Sequence, residues 1–361
     1  MVRTMSLIRA LIGTARMLRH TPRLADGLPP DDAVLLDAPD DRLAPALVSA
    51  ALGEYEQTAK LLATTRESAE WENRDRYVMR LAAFAHNREE WLGRWLAASP
   101  HDPDALVVRA ELGVRRAWES PARAELLRET GPLIGAAAEA DPRDPVPWRI
   151  ALDHARGTHA GHDAFETLWG EAVRRSSHHY GCHVAALQYL SARWHGSHRE
   201  CFDFAEQAAA DALPGSLVKA LPMRAAFSEL MSGDGLAPVT PVTTGAVGTA
   251  GRTGGTGTTD RIDAACDEAI LLSSMYTVGD PWPAEVRNLL AYVLVGRHRW
   301  DEALEQFRLI GPYATSFPWT SLTDDPLGQF LETRDGVRLQ VASGMPLWNR
   351  TDRGRPRGHY A

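Results

Sequence analysis

Apolar residues recur at three- and four-residue intervals along most of this chain, the spacing that gathers them on one face of a helix. Leu7, Ile8, Leu11, Ile12, Ala15 and Leu18 form one such stripe, with Arg9, Arg16 and Arg19 opposite, and predict a basic amphipathic helix over Met5–Leu18. After Gly27-Leu28-Pro29-Pro30 the pattern resumes over Ala44–Leu62, around the small-residue turn Ala51-Leu52-Gly53-Glu54-Tyr55. It continues over Trp71–Leu96, anchored by Trp71, Tyr77, Leu81, Phe84, Trp91 and Trp95. Further helices are predicted at 103–118, 121–140, 148–156, 163–175, 178–194, 198–212, 217–231, 261–275, 283–295 and 300–309.

Prolines punctuate this pattern. Ala98-Ser99-Pro100-His101-Asp102-Pro103 and Ala140-Asp141-Pro142-Arg143-Asp144-Pro145 each read as a helix end, a turn and a new helix start. Proline cannot continue a helix but is pre-organised at its first turn. Two such seams predict a repeated helix-turn-helix unit and an all-α fold. Ser232–Thr259 departs from it, being rich in Gly, Thr, Ala, Val and Pro and nearly uncharged. Such a segment buries too little to offset its ordering entropy and is expected to be a long disordered loop insertion. From Thr333 the turn signals Asp335-Gly336 and Ser343-Gly344 predict an irregular end, with a short strand over Val337–Val341. The expected boundaries are a basic N-terminal helix over 1–27, a helical array over 28–231, an insertion over 232–260, more array over 261–332, and an irregular segment and tail over 333–361.

With 361 residues the chain can bury a sizeable core, and a repeat array needs only neighbour contacts to do so. The net charge of -8 argues against nucleic acid as a partner. Three widely spaced cysteines, Cys182, Cys201 and Cys266, make no disulfide framework and fit a reducing compartment. No apolar run is long enough to span a bilayer. A cytoplasmic protein is expected.

Arg299-Trp300-Asp301-Glu302-Ala303-Leu304-Glu305-Gln306-Phe307 resembles the second helix of tetratricopeptide repeats, with Trp300 at the turn, Ala303 at the helix contact and Phe307 one turn on. The Ala140-Asp141-Pro142 seam followed by Trp148 resembles that family's end-of-repeat proline and first-helix aromatic. Pro103 and Pro145 recur at a longer gap than its ~34 residues, and most units lack its small first-helix residue. Separately, His178-His179-Tyr180 through Tyr189, then Arg193-Trp194-His195-Gly196-Ser197-His198, is similar to an uncharacterised bacterial helical-repeat family with a Trp-x-Gly-Ser turn. These resemblances imply a tetratricopeptide-like α-solenoid of stacked helical hairpins and no catalytic residue.

Candidate chemistry concentrates between His154 and His198, which holds most of the thirteen histidines. His179, Cys182 and His183 share a helical face, with His195, His198 and Cys201 at and beyond the following turn. Imidazole and thiolate are zinc-type ligands, so His179, His183, His195 and His198 are the metal candidates. No acid lies between His179 and His183, and no Cys-x-x-Cys pair, nucleophile elbow or phosphate loop occurs. The eleven tryptophans sit near helix ends as core fillers, with Trp194, Trp282 and Trp319 as alternative binding anchors.

The expected function is a non-enzymatic protein–protein interaction module, an adaptor or regulator that binds a peptide or helix on the concave face of its repeats. Tyr180, His183, Leu187, Gln188 and Trp194 are the expected contacts, and no cofactor is implied. Two alternatives are a metal-dependent enzyme or metal sensor built on the His/Cys cluster, and a peripheral membrane regulator acting through the N-terminal helix.

Overall fold

The computed structural model of the chain describes residues 12–232 and 256–345. Those residues are helical apart from turns, 3-10 pieces and one two-stranded pairing, so the fold is all-α. In chain order the elements are α1 (12–20), β1 (Leu35–Leu36), α2 (Leu43–Ala51), α3 (Glu56–Glu67), α4 (Trp71–Asn87), α5 (Glu90–Ala98) and α6 (Pro103–Glu119). They continue as α7 (Arg123–Ala140), α8 (Val146–Gly157), α9 (His162–Arg175), α10 (Tyr180–Tyr189), α11 (His198–Asp211) and α12 (Leu221–Ser232). After these come α13 (Thr256–Ser274), α14 (Ala284–Gly296), α15 (Trp300–Ile310), β2 (Tyr313–Ala314), the single turn α16 (Ser316–Trp319) and α17 (Pro326–Gly344). No described helix is long and apolar enough to cross a membrane. Two compact units result, a central one of Pro39–Glu229 and a terminal one of Met1–Ala38 with Leu230–Ala361.

In the central unit both proline seams start helices as the sequence predicts. The Asp102 carboxylate accepts the Asp104 and Ala105 N–H groups and Pro103 opens α6. Asp144 Oδ1 accepts the Val146 N–H at 2.8 Å at the start of α8. These contacts satisfy donors that a helix start leaves unpaired. Helices α4, α6, α8 and α10 pack in succession, with α5, α7, α9 and α11 following each in turn. The helix expected over Trp71–Leu96 is two helices, because Arg88 leaves the helical region (φ -145, ψ 82). The break lets Trp91, Leu92 and Trp95 turn back into the core, where all three are fully buried.

The helix expected over 178–194 ends at Tyr189, and Trp194 lies in the turn that follows. Within it, the Trp194 N–H donates to the Ser191 carbonyl (2.9 Å) and the His195 N–H to the Tyr189 carbonyl (3.1 Å). Ser197 then caps α11, its hydroxyl accepting the Glu200 N–H while donating to Glu200 Oε2. A side chain on Gly196 would collide with the Leu190 carbonyl, so the turn closes only around glycine. Gly196→Ala should therefore destabilise the protein by about 1–3 kcal/mol, the usual cost of overpacking, as read by urea unfolding. An unchanged midpoint would mean the turn has room to give.

In the terminal unit β1 pairs in parallel with β2. Arg287 is buried and donates to the Ser273, Tyr276, Thr277 and Leu309 carbonyls, joining the C-terminal ends of α13 and α15. Two sequence expectations fail here. The segment 333–344 is not irregular and 337–341 is not a strand, since α17 runs to Gly344. Its buried positions Phe330, Thr333, Arg334, Val337 and Val341 form a three-and-four stripe, which outweighs the short alternation and the internal Gly336. The insertion expected over 232–260 is helical at both ends, at Ser232 and from Thr256. Half-burial of Thr258 and Thr259 offsets their weak helix propensity. The rest of that insertion, the tail beyond 345 and the start of the basic helix lie outside the described residues.

Candidate functional site

A buried charge network lies within the otherwise apolar core of α4, α6 and α8. Arg149, on α8, donates to Asp75 Oδ1 from Nε (2.9 Å) and Nη2 (2.7 Å), and to Glu111 Oε2 from Nη1 (2.7 Å). Arg74, on α4, pairs with Asp104 (2.6 Å) and Asp144 (2.6 Å) and donates to the Leu62 carbonyl. Burial opposes the charge of Arg149, but the carboxylates of Asp75 and Glu111 outweigh it and hold its pKa well above the usual value. Burial likewise raises the Glu111 pKa, against the pull of Arg149.

This network also joins α4 to α10. The Tyr180 N–H donates to Glu72 Oε1 at 3.0 Å, and burial raises the pKa of that carboxyl. His179 is fully buried; Nδ1 accepts the Cys182 N–H (3.2 Å), which leaves Nε2–H to donate to the Trp71 carbonyl (3.3 Å). A side chain on Gly181 would strike Asp75, so glycine is what lets α10 approach.

The histidines read as metal candidates do not converge. His179 is used as above, and His183 Nδ1 lies 2.9 Å from the His179 carbonyl. His195 stacks on Tyr189 (4.5 Å, 18°), and His198 Nδ1 lies 3.1 Å from Glu229. Among the described residues no three His, Cys, Asp or Glu side chains could together hold a metal ion. His179 caps a helix start and His183 bonds back to the preceding turn, while His195 is held by ring stacking and His198 faces a carboxylate, four separate environments that sequence spacing does not reveal. The thiols are buried too: burial pushes Cys201 up to about 11, Cys266 up to about 12, and Cys182 well above its ordinary value.

A cavity of about 290 Å³ opens between α9 and α11. Trp169, His183 and Phe204 form an aromatic corner, with Trp169 edge-on to His183 (5.0 Å, 90°) and to Phe204 (5.6 Å, 71°). Val173 and Ala208 complete the apolar wall, while Ser177, His178, Gln207 and Asp211 supply the polar lining. Because a carbonyl only accepts, His183 Nδ1 carries the proton and Nε2 is left as an acceptor. Burial lowers the His183 pKa, so the ring is neutral near pH 7.

That shift has a stability consequence. A depressed folded-state pKa means the unfolded chain takes up the proton first, so stability falls as the pH drops below about 6.5 toward the folded value. In an NMR titration, His183 is expected to titrate below about 6.5. A value at or above that would show that burial does not control the ring.

Of the contacts expected from sequence, only His183 lines this cavity. Tyr180 accepts from Arg224 Nε at 2.9 Å, and Leu187 is buried with its carbonyl against Cys201 Sγ. Gln188 is half-buried, its carbonyl accepting from the Ser191 hydroxyl. Trp194 packs edge-on against Trp118 (5.5 Å), with the Arg156 guanidinium over both rings. Trp169 and Phe204 are not sequence candidates, because they lie on different helices and meet only in the fold. They stand about one ~34-residue repeat apart, and that recurrence of an aromatic is the signal that points to them. No family model matches the chain, and no curated protein matches its sequence.

Proposed function

We propose that this chain is a non-enzymatic interaction module, an adaptor or regulator, that receives a peptide segment of a protein partner, with the cavity between α9 and α11 taking one of its side chains. The observation that carries the reading is that cavity: concave, aromatic on one side, polar at its rim, and near the ~300 Å³ lower end of ligand pockets. It suits one side chain better than a nucleotide or other large cofactor. The succession of α4, α6, α8 and α10 with their partner helices supports a tetratricopeptide-like α-solenoid. So does the terminal unit, where Ala303, at the repeat's helix-contact position, and Phe307, one turn on, are both fully buried. The proposed peptide path differs from the sequence expectation in one respect. The inner faces of α4, α6 and α8 carry the chain's own ion pairs around Arg149, so the peptide runs along α9 and α11.

Ala208→Phe tests this, because it fills the cavity from a half-buried position without emptying the core. In paired affinity purifications from the native host, a stoichiometric partner should follow the wild-type chain and be depleted at least about tenfold by the variant, the scale of a lost buried anchor. Equal recovery by both chains would overturn the reading.

A further inference from the structure

The lining of the α9/α11 cavity offers acceptors, and of its assigned donors His183 Nδ1–H and one Gln207 N–H are already committed. His183 Nδ1–H is tied to the His179 carbonyl, and no hydrogen bond to Nε2 occurs among the described residues, although the side chain is only 5% exposed. The Gln207 amide donates Nε2–H to Asp211 Oδ2 at 3.0 Å, which turns Gln207 Oε1 into the free acceptor of that amide. Asp211 is a carboxylate with a further oxygen to offer. A ligand that accepted hydrogen bonds would meet His183 Nε2 and Asp211 lone pair to lone pair. One that only donates would satisfy both.

Charge points the same way. Asp211 brings its carboxylate to the cavity from the last turn of α11, beside Ala208, and Val173 lies in the last turn of α9. The Ala209 carbonyl of α11 is answered by Lys219 Nζ (2.6 Å) and the Glu171 carbonyl of α9 by Arg175 (2.7 Å), which leaves the Asp211 carboxylate as the negative group of the lining. The cations beside it are engaged elsewhere: Arg174 pairs with Glu171, and Arg175 binds Glu171 and the Pro142 carbonyl and covers the Trp148 ring. Trp169 and Phe204 add π-systems that attract a cation.

From this match we infer that the cavity binds the basic side chain, lysine or arginine, of the partner peptide. The inference rests on the peptide-binding reading above and names its chemistry. The alkyl stem lies against Trp169, Val173 and Ala208, and the charged end donates to His183 Nε2 and Asp211. Ser177 and His178, whose polar groups can donate or accept, border the same opening.

The experiment is selection of a phage-displayed random peptide library on the full chain, followed by synthesis of the enriched peptides. Support would be a consensus with one invariant Lys or Arg. Its replacement by norleucine or citrulline should cost about tenfold or more in affinity, and Asp211→Asn should weaken binding about three- to tenfold, the range of a partly desolvated charge contact. Asp211 is exposed, so that variant keeps the fold. Ala208→Phe should abolish binding of the same peptides. Peptides that depend on the cavity, losing affinity with Ala208→Phe, but carry an acidic, aliphatic or aromatic anchor would overturn the basic-side-chain inference and leave peptide binding standing. Peptides indifferent to Ala208→Phe, or none at all, would overturn both.

Discussion

Arg149→Met is expected to lower the unfolding free energy by about 3–5 kcal/mol, the usual penalty for stranding a buried charge. Arg149 is 3% exposed and is the group that neutralises both Asp75 and Glu111. Methionine roughly replaces its stem but leaves two buried carboxylates with no guanidinium between them. Their remaining neighbours do not compensate, since the nearer ring nitrogen of His179 lies 3.9 Å from Asp75 and is turned to the Trp71 carbonyl. The deficit should depend on pH in a definite direction. Burial already raises the Glu111 pKa, and losing Arg149 raises it further. The folded variant then holds a proton that the unfolded chain releases, so its stability falls as pH rises above the ordinary carboxylate range. Urea unfolding should therefore show a larger deficit at pH 8 than at pH 5. Adding Asp75→Asn and Glu111→Gln to the variant should recover much of the loss, because the stranded charge disappears with them. A deficit below about 1 kcal/mol at pH 8, the size of a surface pair, would mean that water reaches the network.

That network illustrates what the sequence could and could not disclose. Asp102-Pro103 and Asp144-Pro145 announced their helix starts because a carboxylate cap and a proline act locally, within three residues. Arg149 and Asp75 are 74 positions apart, and each reads in isolation as part of a solvated helix face. Only the stacking of α4 on α6 and α6 on α8 turns both inward. The break at Arg88 was hidden for a related reason: no glycine or proline marks it, and the pull comes from burying Trp91 and Trp95. At Val337–Val341 the signal was present but ambiguous, since a five-residue apolar alternation fits two periods until Phe330 and Thr333 are counted with it. His183 was legible as chemistry, but its role was not. Whether an imidazole is a metal ligand, a cap or a cavity acceptor depends on which nitrogen a distant backbone has already claimed.

In the terminal unit the largest effect is expected at Trp319, which the sequence left open as a binding anchor. The ring is wholly buried, edge-on to Phe330 (5.6 Å, 88°) and close to Tyr292 (5.7 Å, 73°), with Phe307 6.3 Å away. Its Nε1–H donates to Asn288 Oδ1 at 2.9 Å. Asn288 in turn donates to the Ala284 and Tyr313 carbonyls, so one tryptophan ties α14, β2, α15 and α17 together. Trp319→Ala should cost about 3–5 kcal/mol, because the aromatic cluster around it is too large to collapse into the space left behind. Trp319→Phe separates the two contributions: it keeps most of the ring contacts but leaves Asn288 Oδ1 only the longer Thr315 N–H contact (3.4 Å), and should cost about 0.5–1.5 kcal/mol. Hydrogen exchange provides the local readout. Amides of α14, α15 and α17 should lose protection in the alanine variant, and far less in the phenylalanine one. If Trp319→Ala instead leaves those amides protected and lowers stability by less than about 1 kcal/mol, well short of a core cavity's cost, the ring is not the keystone of this core.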